Sequence, residues 1–114
     1  MTPPGGALPT PMRGQVWYVE VPEQDDNKRY LVVSNNHRNQ SAMDSVLAIP
    51  IGGSPNLPDI AEIVKLSQSD PMGGSARCNL VASIPKARFR SQIAALTPQT
   101  MERVAAGLRA AMNL

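Results

Sequence analysis

The sequence predicts a mainly β domain, a compact antiparallel sheet of five or six strands with one C-terminal α-helix packed on it. Three observations carry that prediction. Short apolar runs between residues 14 and 96 alternate at a period of two, the signature of strands. Clusters of Gly, Pro, Asn and Asp punctuate those runs. After Thr97 the apolar spacing changes to that of a helix.

"GQVWYVEV" (14–21) sets Trp17, Val19 and Val21 against Tyr18 and Glu20 and predicts the first strand, with Trp17 in the core. "PEQDDNKR" (22–29) is a polar loop with two adjacent aspartates. "RYLVVS" (29–34) is β-branched and stops at two asparagines, either of which would cap one short helical turn in 35–44. "SVLAIPI" (45–51) is a third strand whose Pro50 marks an edge position or the strand end. A breaker-rich loop follows, then a fourth strand at 60–67 and a turn cluster at 68–74. "GGSARCNLVASI" (73–84) reads as one strand with Ala76, Cys78, Leu80, Ala82 and Ile84 on an apolar face and Arg77, Asn79, Val81 and Ser83 opposite. "PKARF" (85–89) is a tight or helical turn, and "SQIAAL" (91–96) the last strand. Thr97 as N-cap, Pro98 at the first helical position and a stripe of Met101, Val104, Ala105, Leu108 and Met112 define the helix.

The chain of 114 residues suits one domain, and 42% hydrophobic residues suffice for a core. Aromatics are only 4%, so that core is built from Val, Ile, Leu, Ala and Met. No apolar run is long enough to cross a membrane, no signal peptide is visible, and the single cysteine fits a reducing cytoplasm best. Residues 1–12, crowded with Pro and Gly and without side-chain charge, predict a disordered leader before a single domain at 13–114. One Cys and one His exclude an internal disulfide and a structural zinc site, and no metal or cofactor is expected. A net charge of +2, with eight of eleven basic residues Arg, permits an anionic partner.

No phosphate-cradling loop, dinucleotide fingerprint, HExxH or GxSxG is present. The informative pair is Arg77 with Asn79, two residues apart on the predicted strand and so about 7 Å apart on one face. A guanidinium and a carboxamide held that way could grip a phosphate and a sugar or base edge; on a solvated sheet face they would be inert. Lys28 and Arg29, next to Asp25 and Asp26, form either an acid–base and phosphate-binding group or a solvated loop rim. His37 is a lone histidine in a polar loop, usually just exposed, and Arg38 beside it, with Arg88 and Arg90, could extend a basic surface. Cys78 points into the core.

"RGQVWYVEV", "KRYLVVSNNHRN", "VLAIPI", "ARCNLVASI" and "LTPQTMERVAAGLRAAMNL" together resemble the successive motifs of the MazF/PemK (Kid-like) toxins of type II toxin–antitoxin systems. The resemblance runs from about residue 12 to the C-terminus. It implies a small SH3-like barrel, a homodimer, and metal-independent, sequence-selective cleavage of single-stranded RNA through attack of the ribose 2′-hydroxyl on its own phosphate. The implied partner is a cognate antitoxin whose extended acidic tail fills the RNA groove.

Carried onto this chain, Arg77 matches the arginine of the family's RCD strand and is the candidate for steadying the phosphorane or donating a proton. Lys28 stands at the family's basic position and Arg29 at its usual proline; either could serve, on opposite faces. Asn79 replaces an Asp and can bind RNA but not act as a base. Gly52 replaces a Ser or Thr, with Ser54 two residues on. Asp25 and Asp26 are the carboxylates left to act as base, and Asn36, His37, Arg38 and Arg88 complete the expected RNA-binding set. A rival is a CcdB-like toxin, which shares the fold and inhibits DNA gyrase through its C-terminal helix; this chain ends "AAMNL", without an aromatic there. Another is a member that binds RNA or antitoxin without cleaving, which the changes at 52 and 79 keep open.

Overall fold

The computed structural model describes residues 10–22, 28–53 and 57–113. In chain order these form β1 (Gln15–Val19), β2 (Lys28–Val32), α1 (Asn36–Asn39), β3 (Ser45–Gly52), β4 (Ile63–Lys65), β5 (Ser75–Arg77), β6 (Ala82–Pro85), a 3-10 turn (Lys86–Arg88), β7 (Phe89–Ala95) and α2 (Pro98–Met112). The strands make one antiparallel sheet in the order β4-β5-β3-β2-β1-β7, with β6 also on β3. It thus has seven strands where five or six were expected. β4 and β7 end the order without pairing to each other, so the sheet is not closed into a barrel among the described residues.

The extra strand comes from β3. One edge of this eight-residue strand meets β2 through Ala48–Pro50. Its other edge takes β6 along Ser45–Ala48 and then β5 along Ile51 and Gly52. Residues 73–84 are therefore not one strand but two, laid end to end on the same edge of β3. A turn, closed by Leu80 N–H donating to the Arg77 carbonyl at 3.1 Å, steps between them. Pro50, which has no N–H to give, stands where β3 changes neighbours, inside a central strand rather than at an edge.

Both faces of β1–β2–β3 are covered, which is why apolar residues stand on both sides of these strands. One core joins Val16, Leu31, Val33, Ile49 and Ile51 to Val64, Ala76, Cys78, Leu96 and Val104 beneath α2. The other holds Trp17, Val19, Val32, Val46, Ala48, Ile84 and Phe89, with the Trp17 and Phe89 rings edge to face at 5.9 Å. Pro11 is fully buried and the Met12 N–H donates to Gln15 Oε1, so the end of the expected leader is packed against the domain.

Both helices start at the expected caps. Asn35 accepts from the Arg38 N–H, and Thr97 accepts from the Thr100 N–H, with Pro98 opening α2. The buried line of α2 is Thr100, Val104 and Gly107, turned by about one position from the expected stripe; Met112 is 51% exposed. Gly107 sets that rotation. A Cβ there would lie 2.8 Å from both the Ala61 carbonyl oxygen and Cys78 Sγ, so only glycine lets the helix settle this close to the sheet.

Candidate functional site

The C-terminal end of β3 brings the predicted cations together. Gly52 pairs with Ser75, and Ser75 with Lys65, a row running from β3 across β5 to β4. Arg77 pairs with Ile63 two residues along and folds back over Gly52. A Cβ on Gly52 would stand 2.6 Å from Arg77 Nη2 and 3.0 Å from Cζ and Nε. The guanidinium thus occupies the space a side chain at 52 would need. Its Nε is buried and makes no hydrogen bond among the described residues.

β2 supplies the other two. Its ladder with β3 ends at Tyr30 opposite Pro50, two residues short of Lys28 on one strand and of Gly52 on the other. By strand alternation Lys28 therefore shares the face of Gly52, and Arg29 the face of Ile51. Arg29 Nη1 donates to the Gly73 carbonyl at 3.4 Å. Gly74 needs its φ of +122°, and a Cβ there would lie 2.9 Å from Ile51 Cγ2 and 3.0 Å from the Gly52 carbonyl oxygen. The Gly73–Gly74 limb is thus pressed onto the end of β3. A groove of about 380 Å³ opens here between Gly52, Gly53, Leu57, Lys65, Gly74 and Ser75. Lys65 was not foreseen, because its place depends on two strand registers that no local pattern reveals.

The remaining expected residues lie elsewhere. Asn79 is exposed in the turn after β5, off the strand face of Arg77, because the strand ends before it. Asn36, His37 and Arg38 lie in α1 near the start of β3, where Arg38 Nη2 donates to Ser45 Oγ at 3.3 Å. Seven steps of strand separate Ser45 from Gly52, roughly 23 Å, so α1 does not join the Arg77 cluster within one chain. Asn36 is already engaged: its Oδ1 accepts from the Arg13 N–H at 2.7 Å and from Asn39 Nδ2 at 3.1 Å. Arg88 is exposed and borders a smaller groove of about 200 Å³ with Val19, Glu20, Tyr30, Ala82 and Ser83. Asp25, Asp26 and Ser54 lie outside the described residues.

Among the described residues two groups have shifted proton affinities. Burial raises the Cys78 thiol to about 11, and the Glu62 charge adds to it, so this cysteine is a core residue and not a nucleophile. Burial also works against the Asp70 carboxylate. Hydrogen bonds from the Thr100 hydroxyl, the Thr97 N–H and the Ser67 N–H and hydroxyl outweigh it and hold Asp70 at about 2. Among the described residues no three His, Cys, Asp or Glu side chains stand together as a metal site, and no helix is long and apolar enough to cross a membrane.

Residues 12–112 match the family model described as PemK-like, MazF-like toxin of type II toxin–antitoxin system. Endoribonuclease MazF1 of Mycobacterium bovis is 29% identical over 104 residues, covering 91% of this chain and 94% of that protein. The solved structure of an endoribonuclease in complex with its cognate antitoxin, from a mycobacterial species, superposes with a TM-score of 0.82 at 28% identity over 91% of this chain and 96% of that one. The MazE–MazF structure (Form-II) of Deinococcus radiodurans, at 16% identity, shares the fold with a TM-score of 0.74 over 95% and 98% of the two chains.

Proposed function

The chain belongs to the PemK-like, MazF-like toxin family of type II toxin–antitoxin systems, and from that premise we propose that it is a sequence-selective endoribonuclease acting on single-stranded RNA. One observation carries the reading: Arg77 is folded over Gly52 on a face that Lys28 shares, so two cations converge on one strand end. A phosphodiester lying there has the positive charge that a phosphorane demands.

The reaction needs no group from outside the chain. A carboxylate, which we assign to Asp25 or Asp26, takes the proton of the ribose 2′-hydroxyl. The 2′ oxygen then bonds to the adjacent phosphorus. Arg77 meets the charge that builds on the non-bridging oxygens, with Arg29 arriving from the opposite face of β2. The bond from phosphorus to the 5′ oxygen breaks. Lys28, whose ammonium yields a proton more readily than a guanidinium, protonates the leaving oxygen. The products are a cyclic phosphate and a 5′-hydroxyl. Asn79, Ser54, Asn36, His37, Arg38 and Arg88 are then left to contact RNA beyond the scissile phosphate. A homodimer would be needed for α1 of one chain to approach this centre in another.

The partner that controls the activity is an antitoxin, as in the related mycobacterial complex. An acidic extended segment complements the groove lined by Lys65 and Gly52, next to which Arg77 lies. The test is incubation of the purified protein with a long single-stranded RNA in excess EDTA, beside Arg77→Ala. Discrete fragments with 5′-hydroxyl ends from the native protein alone are expected. Intact RNA with a folded protein that binds its antitoxin would refute cleavage and establish a non-cleaving toxin.

A further inference from the structure

The turn between β4 and β5 is tied down by a carboxylate with no part in the chemistry above. Asp70 is 8% exposed, and its carboxylate accepts four hydrogen bonds. Oδ2 takes the Ser67 N–H at 2.7 Å, the Ser67 hydroxyl at 3.0 Å and the Thr100 hydroxyl at 2.6 Å; Oδ1 takes the Thr97 N–H at 2.9 Å. The Ser67 bonds close the turn on itself. The two threonine bonds fasten it to the first turn of α2.

Three residues further on, the same turn becomes the wall of the site. Gly73 offers its carbonyl to Arg29, and Gly74 presses on Ile51 and the Gly52 carbonyl. The Leu66 N–H donates to the Gly74 carbonyl at 3.0 Å and closes the base of the loop. Pro71 stiffens the short path from Asp70 to Gly73, and Met72 packs against the core beneath α2. Fixing Asp70 to the helix therefore fixes the height at which Gly73–Gly74 meets β3, and so the place of the Arg29 guanidinium.

We infer that Asp70 is a positioning residue for the RNA-cleaving site, acting through Gly73–Gly74 on Arg29 and on the Gly52 backbone beneath Arg77. The inference rests on the ribonuclease reading for its effect on rate. It predicts a loss in the chemical step rather than in RNA binding, because Arg77 and Lys28 still hold the phosphate while Arg29 is displaced.

The experiment compares wild type, Asp70→Asn, Arg29→Ala and the double variant, well below the lowest melting midpoint of the set. Cleavage of a long single-stranded RNA, followed against protein concentration, separates the limiting rate from the half-saturating concentration. Asp70→Asn should lower the limiting rate about tenfold and leave half-saturation within about twofold. In the Arg29→Ala background it should cost no more than about twofold further, since residues acting through one another are not additive. Nitrogen-15 spectra of the same proteins should show the Gly73 and Gly74 amides and the Arg29 Nε–H moving in Asp70→Asn, with Val46 in the opposite core unmoved. A limiting rate within twofold of wild type, or effects of Asp70→Asn and Arg29→Ala that multiply in full, would overturn the inference. If Asp70→Asn does not fold, Thr100→Val removes one of the four bonds and carries the same comparison at about threefold. If wild type cleaves no RNA, the ribonuclease reading fails, and the Gly73, Gly74 and Arg29 resonances still decide whether Asp70 controls their place.

Discussion

Replacing Gly52 by alanine should separate activity from stability. The new Cβ would stand 2.6 Å from Arg77 Nη2 and 3.0 Å from Cζ, whereas ordinary contact begins near 3.4 Å. The guanidinium must withdraw by about 0.8 Å. That movement is cheap for the fold, because the clashing atoms end a flexible side chain and the buried Nε has no hydrogen bond to lose among the described residues. Alanine also removes the entropic penalty of glycine in a strand, worth about 0.5–1 kcal/mol. Gly52→Ala should therefore melt at or slightly above the wild-type temperature. A misplacement approaching 1 Å in a charge-stabilising group costs up to about a hundredfold in rate, so RNA cleavage should fall about ten- to a hundredfold. Single-turnover cleavage beside a thermal melt reads both quantities. In an Arg77→Ala background the same substitution should change the rate less than about twofold. A Gly52→Ala protein as active as wild type would refute the claim that Arg77 works from the space above residue 52.

Three further outcomes are expected. Asp70 is held at about 2 against an ordinary 3.8, so its bonds contribute about 2 kcal/mol that is fully present above pH 3.8 and lost as the pH falls through 2; urea titrations should show Asp70→Asn far less stable than wild type at pH 7 and close to it at pH 2. Gly107→Ala drives a methyl into the Ala61 carbonyl and Cys78 Sγ and should cost about 1–3 kcal/mol in the same assay despite the better helix propensity of alanine. Cys78, buried and with its thiol raised to about 11, should resist a thiol reagent at pH 8 until urea unfolds the protein, and rapid labelling of the native state would place it wrongly.

The sequence disclosed most of the elements, because alternation, turn clusters and caps are local. Asn35 and Thr97 cap where their side chains said they would, and residues 85–89 make the expected helical turn. It misplaced whatever depended on a neighbouring strand. The alternation of 73–84 continues unbroken through Cys78, yet β3 changes partner there and the strand divides. That division removed Asn79 from the face of Arg77. The choice between Lys28 and Arg29 awaited a register, which puts Lys28 on the Gly52 side and sends Arg29 to Gly73. The buried line of α2 moved because a polar residue, Thr100, is fully buried once Asp70 satisfies its hydroxyl. Gly52 read as a missing hydroxyl; in three dimensions it is a vacancy filled by Arg77.

The two-core arrangement also bears on how the protein opens. β1 and β2 contribute to both cores, whereas β4, β5 and α2 contribute only to the one beneath the helix. β5 is joined to β3 by just two residue pairs, Ile51 with Ala76 and Gly52 with Ser75. Amide hydrogen exchange should therefore show two cooperative units: a slow one in β1, β2 and the first half of β3, and a faster one in β4, β5 and α2. Lys28 is carried by the slow unit and Arg77 by the fast one. The pair at Gly52 is then assembled across a boundary between regions of unequal protection, and any ligand that bridges the two cations should slow exchange in β5 and α2 far more than in β1 and β2.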